Sequence, residues 1–100
     1  MEDITVNLGY LKDDLRQANA LLTQGDPDVA LTLIERVIGA YDSISVFLKS
    51  KQITPENLKI YAEALHLRYF AFRMQKKPDE AEQELKKYQE LSAMLEQLEA

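Results

Sequence analysis

Every proline in this chain falls at a boundary between two segments whose apolar residues recur with helical spacing. Pro27, Pro55 and Pro78 each open such a segment, and an acidic residue follows each of them. Proline fits the first turn of a helix but not its interior, and an acidic residue there is favourable for the helix dipole. Asp26 and Thr54, which precede two of these prolines, can cap the exposed amides. The prolines therefore predict the starts of the second, third and fourth helices.

Apolar residues in steps of three and four indicate one buried face on each helix. The β-branched residues lie on these stripes and do not alternate as they would in strands. The stripes are Ile4, Leu8, Leu11, Leu15, Ala18 and Leu22 in the first segment, Ala30, Ile34, Val37, Tyr41, Ile44 and Leu48 in the second, and Ala81, Leu85, Tyr88, Leu95 and Leu98 in the fourth. The first helix should end at Gly25, and the third should run to about Gln75.

Short connections between these segments predict that sequential helices lie antiparallel. The predicted fold class is all-α, with four antiparallel helices as two helical hairpins, either an array of repeats or a four-helix bundle. One domain is expected over residues 1–100, with hairpin 1 at 3–50 and hairpin 2 at 54–98. Gly39 and the run from Asp42 to Val46 leave the continuity of the second helix open, because both are weak helix formers.

The two hairpin corners repeat one another at a constant spacing. Gln24, Pro27, Asp28 and Ala30 recur as Gln75, Pro78, Asp79 and Ala81, each 51 residues later, since 75 − 24 and 81 − 30 both equal 51. A small residue one turn into the second helix lets two backbones approach closely, so Ala30 and Ala81 are the predicted crossing points. Internal repetition of this kind constrains the architecture.

The first hairpin resembles a tetratricopeptide repeat over residues 14 to 41. The positions that carry the resemblance are Ala18, Leu21, Gly25, Asp26, Asp28, Ala30, Ile34 and Val37, and the second hairpin matches through Leu65, Phe72, Pro78, Asp79, Glu80, Ala81 and Leu85. Tyr69 and Tyr88 depart from the small residues of the family, and the spacing of 51 exceeds the family period of about 34 residues. The resemblance implies a protein-binding function.

Composition excludes several classes of protein. The formal net charge is −5 and the pI about 4.8, so neither nucleic acid nor an anionic membrane is an expected partner. Cysteine is absent, which excludes disulfides and thiolate chemistry and fits a reducing compartment. No apolar run approaches the ~20 residues that span a bilayer, and the acidic N-terminus does not resemble a signal peptide. We expect a cytoplasmic protein.

Few residues in the sequence suggest a catalytic or metal-binding site. Glu63 and His66 form a Glu-x-x-His pair of the kind that ferritin-like dimetal bundles use, but such a site needs a second pair that only a dimer could supply. The preferred interpretation of this pair, without a metal, is a surface glutamate beside a half-buried histidine. The many other carboxylates, Glu84 among them, are expected on solvated faces with lysines between them. The chain is predicted to be a non-enzyme without cofactor or metal.

The third helix is apolar nearly all round, so protein must surround it. Neighbouring helices could cover it, or one side could remain as a docking face, with Tyr61, Tyr69, Phe70 and Arg73 as the anchors. The second helix also carries surplus apolar residues, namely Val29, Leu33, Val46 and Phe47.

The leading hypothesis is a small adaptor or chaperone that binds a segment of a partner protein through apolar faces of the second and third helices. The alternatives are a structural or regulatory homodimer without a separate ligand, and a ferritin-like metal-binding bundle.

Overall fold

The computed structural model describes residues 9–47 and 54–99, with the side chains of 9–43 and 54–98. A 3₁₀ turn over Gly9–Leu11 leads into α1 (Lys12–Thr23), which is followed by α2 (Pro27–Phe47), α3 (Pro55–Met74) and α4 (Pro78–Glu99). These ranges contain no strand. The predicted all-α class with four helices is confirmed. The predicted domain and hairpin limits extend over residues 1–8 and 48–53, outside the described ranges.

The predicted helix starts are confirmed at all three prolines. Thr54 Oγ1 accepts a hydrogen bond from the backbone N–H of Asn57 at 3.3 Å, and Asp26 Oδ1 accepts one from Val29 at 3.4 Å. Each cap satisfies an amide that has no partner within its helix. The open question about α2 is also answered, because the helix runs through Gly39 without a break.

The predicted start of the first helix lies outside the described residues. Its stripe was expected to begin at Ile4, which lies with Leu8 outside the described residues. Within the described residues, the 3₁₀ turn over Gly9–Leu11 precedes the α-helical geometry that begins at Lys12. Leu11, at the cap position, makes no side-chain hydrogen bond to the first amides. A 3₁₀ turn is a common way to enter a helix at such an end.

The core lies between α1, α2 and α3. Helices α1 and α2 pair as one hairpin, α3 and α4 as the other, and α3 also packs on both α1 and α2. The predicted stripes supply this core, with Leu15, Ile34 and Val37 almost entirely removed from solvent. One stripe residue is a wrong prediction: Leu98 is 54% exposed near the end of α4. Helix α3 covers Leu95, but Leu98 lies about one turn further along α4 and extends past that part of α3.

The two corners share one backbone geometry. Asp26 N–H donates to the carbonyl of Leu21 at 2.9 Å, and Lys77 N–H, 51 residues later, donates to that of Phe72 at 2.9 Å. Gly25 and Lys76 both have positive φ, at 83° and 60°. This is the Schellman ending, which satisfies the last carbonyls of a helix. The two corners, which repeat one another in sequence, therefore also have the same backbone conformation.

The carboxylate of Glu84 corrects another prediction. It was expected on a solvated face, yet the residue is only 4% exposed. Glu84 Oε1 lies 3.9 Å from Arg68 Nη1 and 3.5 Å from Lys87 Nζ, while Arg68 Nη2 lies 3.8 Å from Glu35 Oε1. Lys87 lies on the same helix as Glu84, whereas the contact with Arg68 joins α4 to α3. Charged groups from α2, α3 and α4 thus meet where the two hairpins join.

Candidate docking groove between the third and fourth helices

Two cavities lie on the same side of the α3–α4 hairpin. The corner cavity, of about 230 Å³, lies where the two helices are joined, and the second cavity, of about 250 Å³, lies further along the pair. The corner cavity is lined by Tyr69, Arg73, Lys76, Lys77, Pro78, Ala81, Glu82 and Leu85, and the second by Lys59, Ala62, Glu63, His66, Tyr88, Ser92 and Leu95. We call the surface formed by these residues the docking groove.

Aromatic rings occupy the middle of the docking groove. The ring of His66 stacks on that of Tyr88, with centroids 4.5 Å apart and planes 10° apart. At the edge of the groove, the ring centroid of Phe70 lies 4.7 Å from that of His66 and 5.3 Å from that of Tyr69. These flat rings are held by one another, so the groove offers a wide apolar surface whose side chains lose little conformational freedom when a ligand covers them.

Cations surround the corner cavity. Arg73 Nη1 donates a hydrogen bond to the hydroxyl oxygen of Tyr69 at 3.0 Å, and its guanidinium carbon lies 5.7 Å from the centre of that ring. Lys77 Nζ lies 6.0 Å from the centre of the Phe72 ring. We call Arg73, Lys76 and Lys77 the basic cluster. The only acidic residue among those lining the corner cavity is Glu82.

The four predicted anchors do not share one surface. Tyr69 and Arg73 line the corner cavity, and Phe70, 43% exposed, lies beside them at the edge of the groove. Tyr61 lies elsewhere on α3, where its ring stacks on Tyr41 of α2 with centroids 4.0 Å apart. Eight residues separate Tyr61 from Tyr69, which rotates one side chain about 80° from the other around a helix.

The stacked pair of tyrosines has perturbed acidity. Burial raises the pKa of both Tyr41 and Tyr61 above 10.0, and the nearby charge of Asp42 raises it further. Both rings pack against the core. The pair therefore belongs to the contact between α2 and α3 and is separate from the docking groove.

Sequence reasoning singled out Tyr69 and Arg73 but missed the part of the groove that α4 and the lysines of the corner form, although the internal repeat carries the signal. For six of the fifteen groove residues, the residue 51 positions earlier is a buried stripe residue of α1 or α2. The pairs are Leu15 and His66, Ala18 and Tyr69, Leu22 and Arg73, Ala30 and Ala81, Ile34 and Leu85, and Val37 and Tyr88. All six residues of the first hairpin are at most 9% exposed, whereas of their six counterparts in the second hairpin only Ala81 is buried. The docking groove thus corresponds to the core-facing side of the first hairpin.

A helix covers that side in the first hairpin. Helix α3 packs on α1 and α2, and its residues Leu65, Leu67 and Ala71 complete the core there. On the second hairpin, the described residues contain no helix in the equivalent place. The exchange of Leu15 for His66 and of Leu22 for Arg73 makes the uncovered side compatible with water while leaving aromatic surface on it.

Glu63 and His66 both line the second cavity. They share a helix face because they are three positions apart. Within the part of the chain that the structure describes, no group of three or more histidine, cysteine, aspartate or glutamate side chains could hold a metal ion. The ring of His66 stacks on that of Tyr88. His66 is half-buried, as predicted for a histidine that binds no metal.

Comparison of the chain with models of protein families, with curated proteins and with solved structures gave no match. The tetratricopeptide resemblance therefore stays a prediction. None of the helices in the described ranges has the length and apolar character needed to cross a membrane.

Proposed function

We propose that this chain is a small protein-binding adaptor or chaperone that seats a helical segment of a partner protein in the docking groove. The observation that carries this proposal is the correspondence between the two hairpins. In the first hairpin the surface between the paired helices holds α3, and the same positions of the second hairpin form a groove that no helix of the described residues covers. A groove of this geometry suits an amphipathic helix with apolar residues at i, i+3, i+4 and i+7.

The chemistry of the groove supports protein rather than small-molecule or nucleic-acid binding. Tyrosine and arginine are enriched at the energetic centres of protein interfaces, and Tyr69, Tyr88 and Arg73 all line the groove. The net charge of −5 disfavours a nucleic-acid or anionic membrane partner. In this proposal the chain is not an enzyme and uses no cofactor, and it acts in the reducing cytoplasm that its lack of cysteine suggests.

A homodimer without a separate ligand is the second candidate. Met94 and Leu98, one turn apart on α4, are 52% and 54% exposed and form an apolar surface outside the docking groove. A second copy could cover them. The docking groove has a counterpart in the first hairpin that shows how a helix would cover it, so we favour the adaptor.

Site-specific photocrosslinking in cells of the source organism tests the proposal. A photoreactive amino acid replaces Glu82, an exposed residue at the rim of the corner cavity, and the matched control carries it at Thr32, an exposed residue of α2. We expect a discrete adduct with a different protein from position 82 and none from position 32. An adduct with twice the mass of the chain would favour the homodimer, and equal labelling from both positions would contradict docking in the groove.

A further inference from the structure

We infer that the segment seated in the docking groove is an acidic amphipathic helix, whose carboxylates lie against Arg73, Lys76 and Lys77 while an apolar side chain enters the corner cavity. This inference rests on the proposed function and specifies the chemistry of its partner. The charge of the site differs from that of the whole chain. In a protein of net charge −5, three cations and one acid line the corner cavity.

The two corners give an internal reference for these lysines. Gly25 and Asp26 of the first corner correspond to Lys76 and Lys77 of the second, 51 residues later, on the same backbone. Gly25 supplies the positive φ without steric cost, and Asp26 caps α2. The first corner thus contains the residues that this local structure favours, and the second contains lysine at both positions.

Lysine is unfavourable at each of these positions for a separate reason. Lys76 adopts φ of 60°, a conformation that residues with a Cβ seldom take. The carbonyl of Lys77 accepts the first helical hydrogen bond of α4, from Ala81 N–H at 3.0 Å, which makes Lys77 the residue that caps this helix. Its side chain has no oxygen to accept from the exposed amides, and its positive charge opposes the helix dipole.

A local cost of this kind at two adjacent residues indicates selection for something other than stability. Helix α3 could benefit from a cation at its C-terminus, and Arg73 already provides one. Lys77 lies both just after the end of α3 and at the start of α4, where the two helix dipoles act on its charge in opposite senses, so the dipoles do not account for it. Binding of carboxylates does account for it, since all three members of the basic cluster line the same cavity.

The floor of the cavity defines the rest of the partner. Ala81, Leu85 and the ring of Tyr69 form an apolar surface between the cations. A helix that places one leucine- or phenylalanine-like side chain on this floor brings residues three and four positions away over the basic cluster. The expected partner therefore carries aspartate or glutamate one turn from an apolar anchor, which gives both affinity and rapid association.

Selection from a phage-displayed library of random peptides of about 16 residues, long enough for four helical turns, tests this inference. The full chain is the bait, and the recovered peptides are synthesised and measured by fluorescence anisotropy. We expect recovered sequences with acidic residues one turn from an apolar anchor. Their affinity should fall about tenfold or more for the variant Lys76→Gly/Lys77→Asp, which carries the residues of the first corner. It should fall similarly when the peptide's glutamates become glutamines.

Two controls separate charge at the groove from charge in general. Lys12→Asp/Arg16→Gln changes the net charge by the same amount as Lys76→Gly/Lys77→Asp, at exposed positions on α1, and it should leave the affinity within about twofold. Raising the salt concentration from about 50 mM to about 500 mM should weaken binding to the parent protein more than to Lys76→Gly/Lys77→Asp. The double variant replaces costly residues by favourable ones, so loss of folding is not expected to confuse the result.

The outcomes distinguish this inference from the function on which it rests. Peptides that crosslink from position 82 but carry no acidic residues, or that bind the double variant as well as the parent, overturn the acidic partner and leave docking in the groove intact. A library that yields no peptide crosslinking from position 82 overturns the docking site itself.

Discussion

Gln75 Nε2 donates a hydrogen bond to Asp28 Oδ1 at 2.6 Å, and this bond joins the corner of the second hairpin to the corner of the first. Each residue has a counterpart in the other corner, Gln24 for Gln75 and Asp79 for Asp28. Gln75 meets Asp28 because α3 packs on α2. Gln24 and Asp79 do not form the equivalent bond, because no described helix packs on α4 in the equivalent way. The repeated residues thus make different contacts according to their place in the stack.

Replacing Gln75 with alanine should destabilise the contact between the hairpins. A hydrogen bond to a charged group contributes about 1.5–3 kcal/mol, and the exposed position of this pair lowers the expected loss to about 1 kcal/mol. Gln24→Ala removes the same side chain from the other corner and should change stability by less than about 0.5 kcal/mol. Urea unfolding of both variants checks this difference. Equal effects would mean that the bond between the corners contributes nothing beyond the intrinsic preference of each helix end.

The residues with positive φ should respond in opposite directions to substitution. A Cβ added at Gly25 would meet open space, so Gly25→Ala suffers only from its φ of 83° and should cost about 1 kcal/mol. Lys76→Gly relieves the strain at φ of 60° and should be neutral or gain up to about 1 kcal/mol. Chemical denaturation measures both. If Lys76→Gly were clearly destabilising, lysine would have a structural role at the corner and the argument for a binding role would weaken.

The contact between Arg68 and Glu84 should be costly to break from one side. Glu84 is 4% exposed and the side chain of Arg68 is 26% exposed, so Glu84→Leu leaves a half-buried guanidinium with only Glu35 nearby. The expected loss is about 2 kcal/mol, below the range for fully buried pairs because water still reaches Arg68. Arg68→Met/Glu84→Leu removes both charges and should recover most of that loss. A double variant as unstable as the single one would show that packing, rather than an unpaired charge, is responsible.

Leucine substitutions should distinguish the two predicted crossing points. Ala30 is fully buried, and Ala30→Leu should overpack the first hairpin at a cost of about 1–3 kcal/mol. Ala81 is buried too but borders the corner cavity, where a larger side chain can extend, so Ala81→Leu should cost less than about 1 kcal/mol. Thermal unfolding of the pair provides the comparison. A cost for Ala81→Leu equal to that for Ala30→Leu would mean that the cavity cannot accept a side chain from that position.

The sequence was sufficient for the helices because their signals are local. A proline with an acidic neighbour determines a helix start within one turn, and the spacing of Leu15, Ala18 and Leu22 determines which face is buried. The burial of Glu84 was not predictable in this way, since it depends on Arg68 from another helix. The groove could not be predicted from single residues either. It becomes visible only when each residue is compared with its counterpart 51 positions away and when it is known on which hairpin a further helix packs.

The stacked tyrosines Tyr41 and Tyr61 should make the fold sensitive to alkaline pH. Their pKa is raised above 10.0 in the folded chain, first by burial and then by Asp42, so both phenols are neutral in the folded and unfolded states below that pH. As the pH rises past 10.0, the unfolded chain ionises first, and stability is lost progressively until the pH passes the pKa of the folded state.

Tyr41→Phe/Tyr61→Phe should therefore retain more of its stability than the parent as the pH rises above about 10. Urea midpoints followed by circular dichroism at a series of alkaline pH values measure the slope, and absorbance of the ionised phenols reports the titration directly. The variant Tyr10→Phe, which removes a phenol that is 67% exposed, is the matched control and should keep the slope of the parent. If the double variant lost stability as steeply as the parent, the sensitivity would come from lysines or from the growing negative charge of the whole chain, and the stacked pair would be only a packing contact between α2 and α3.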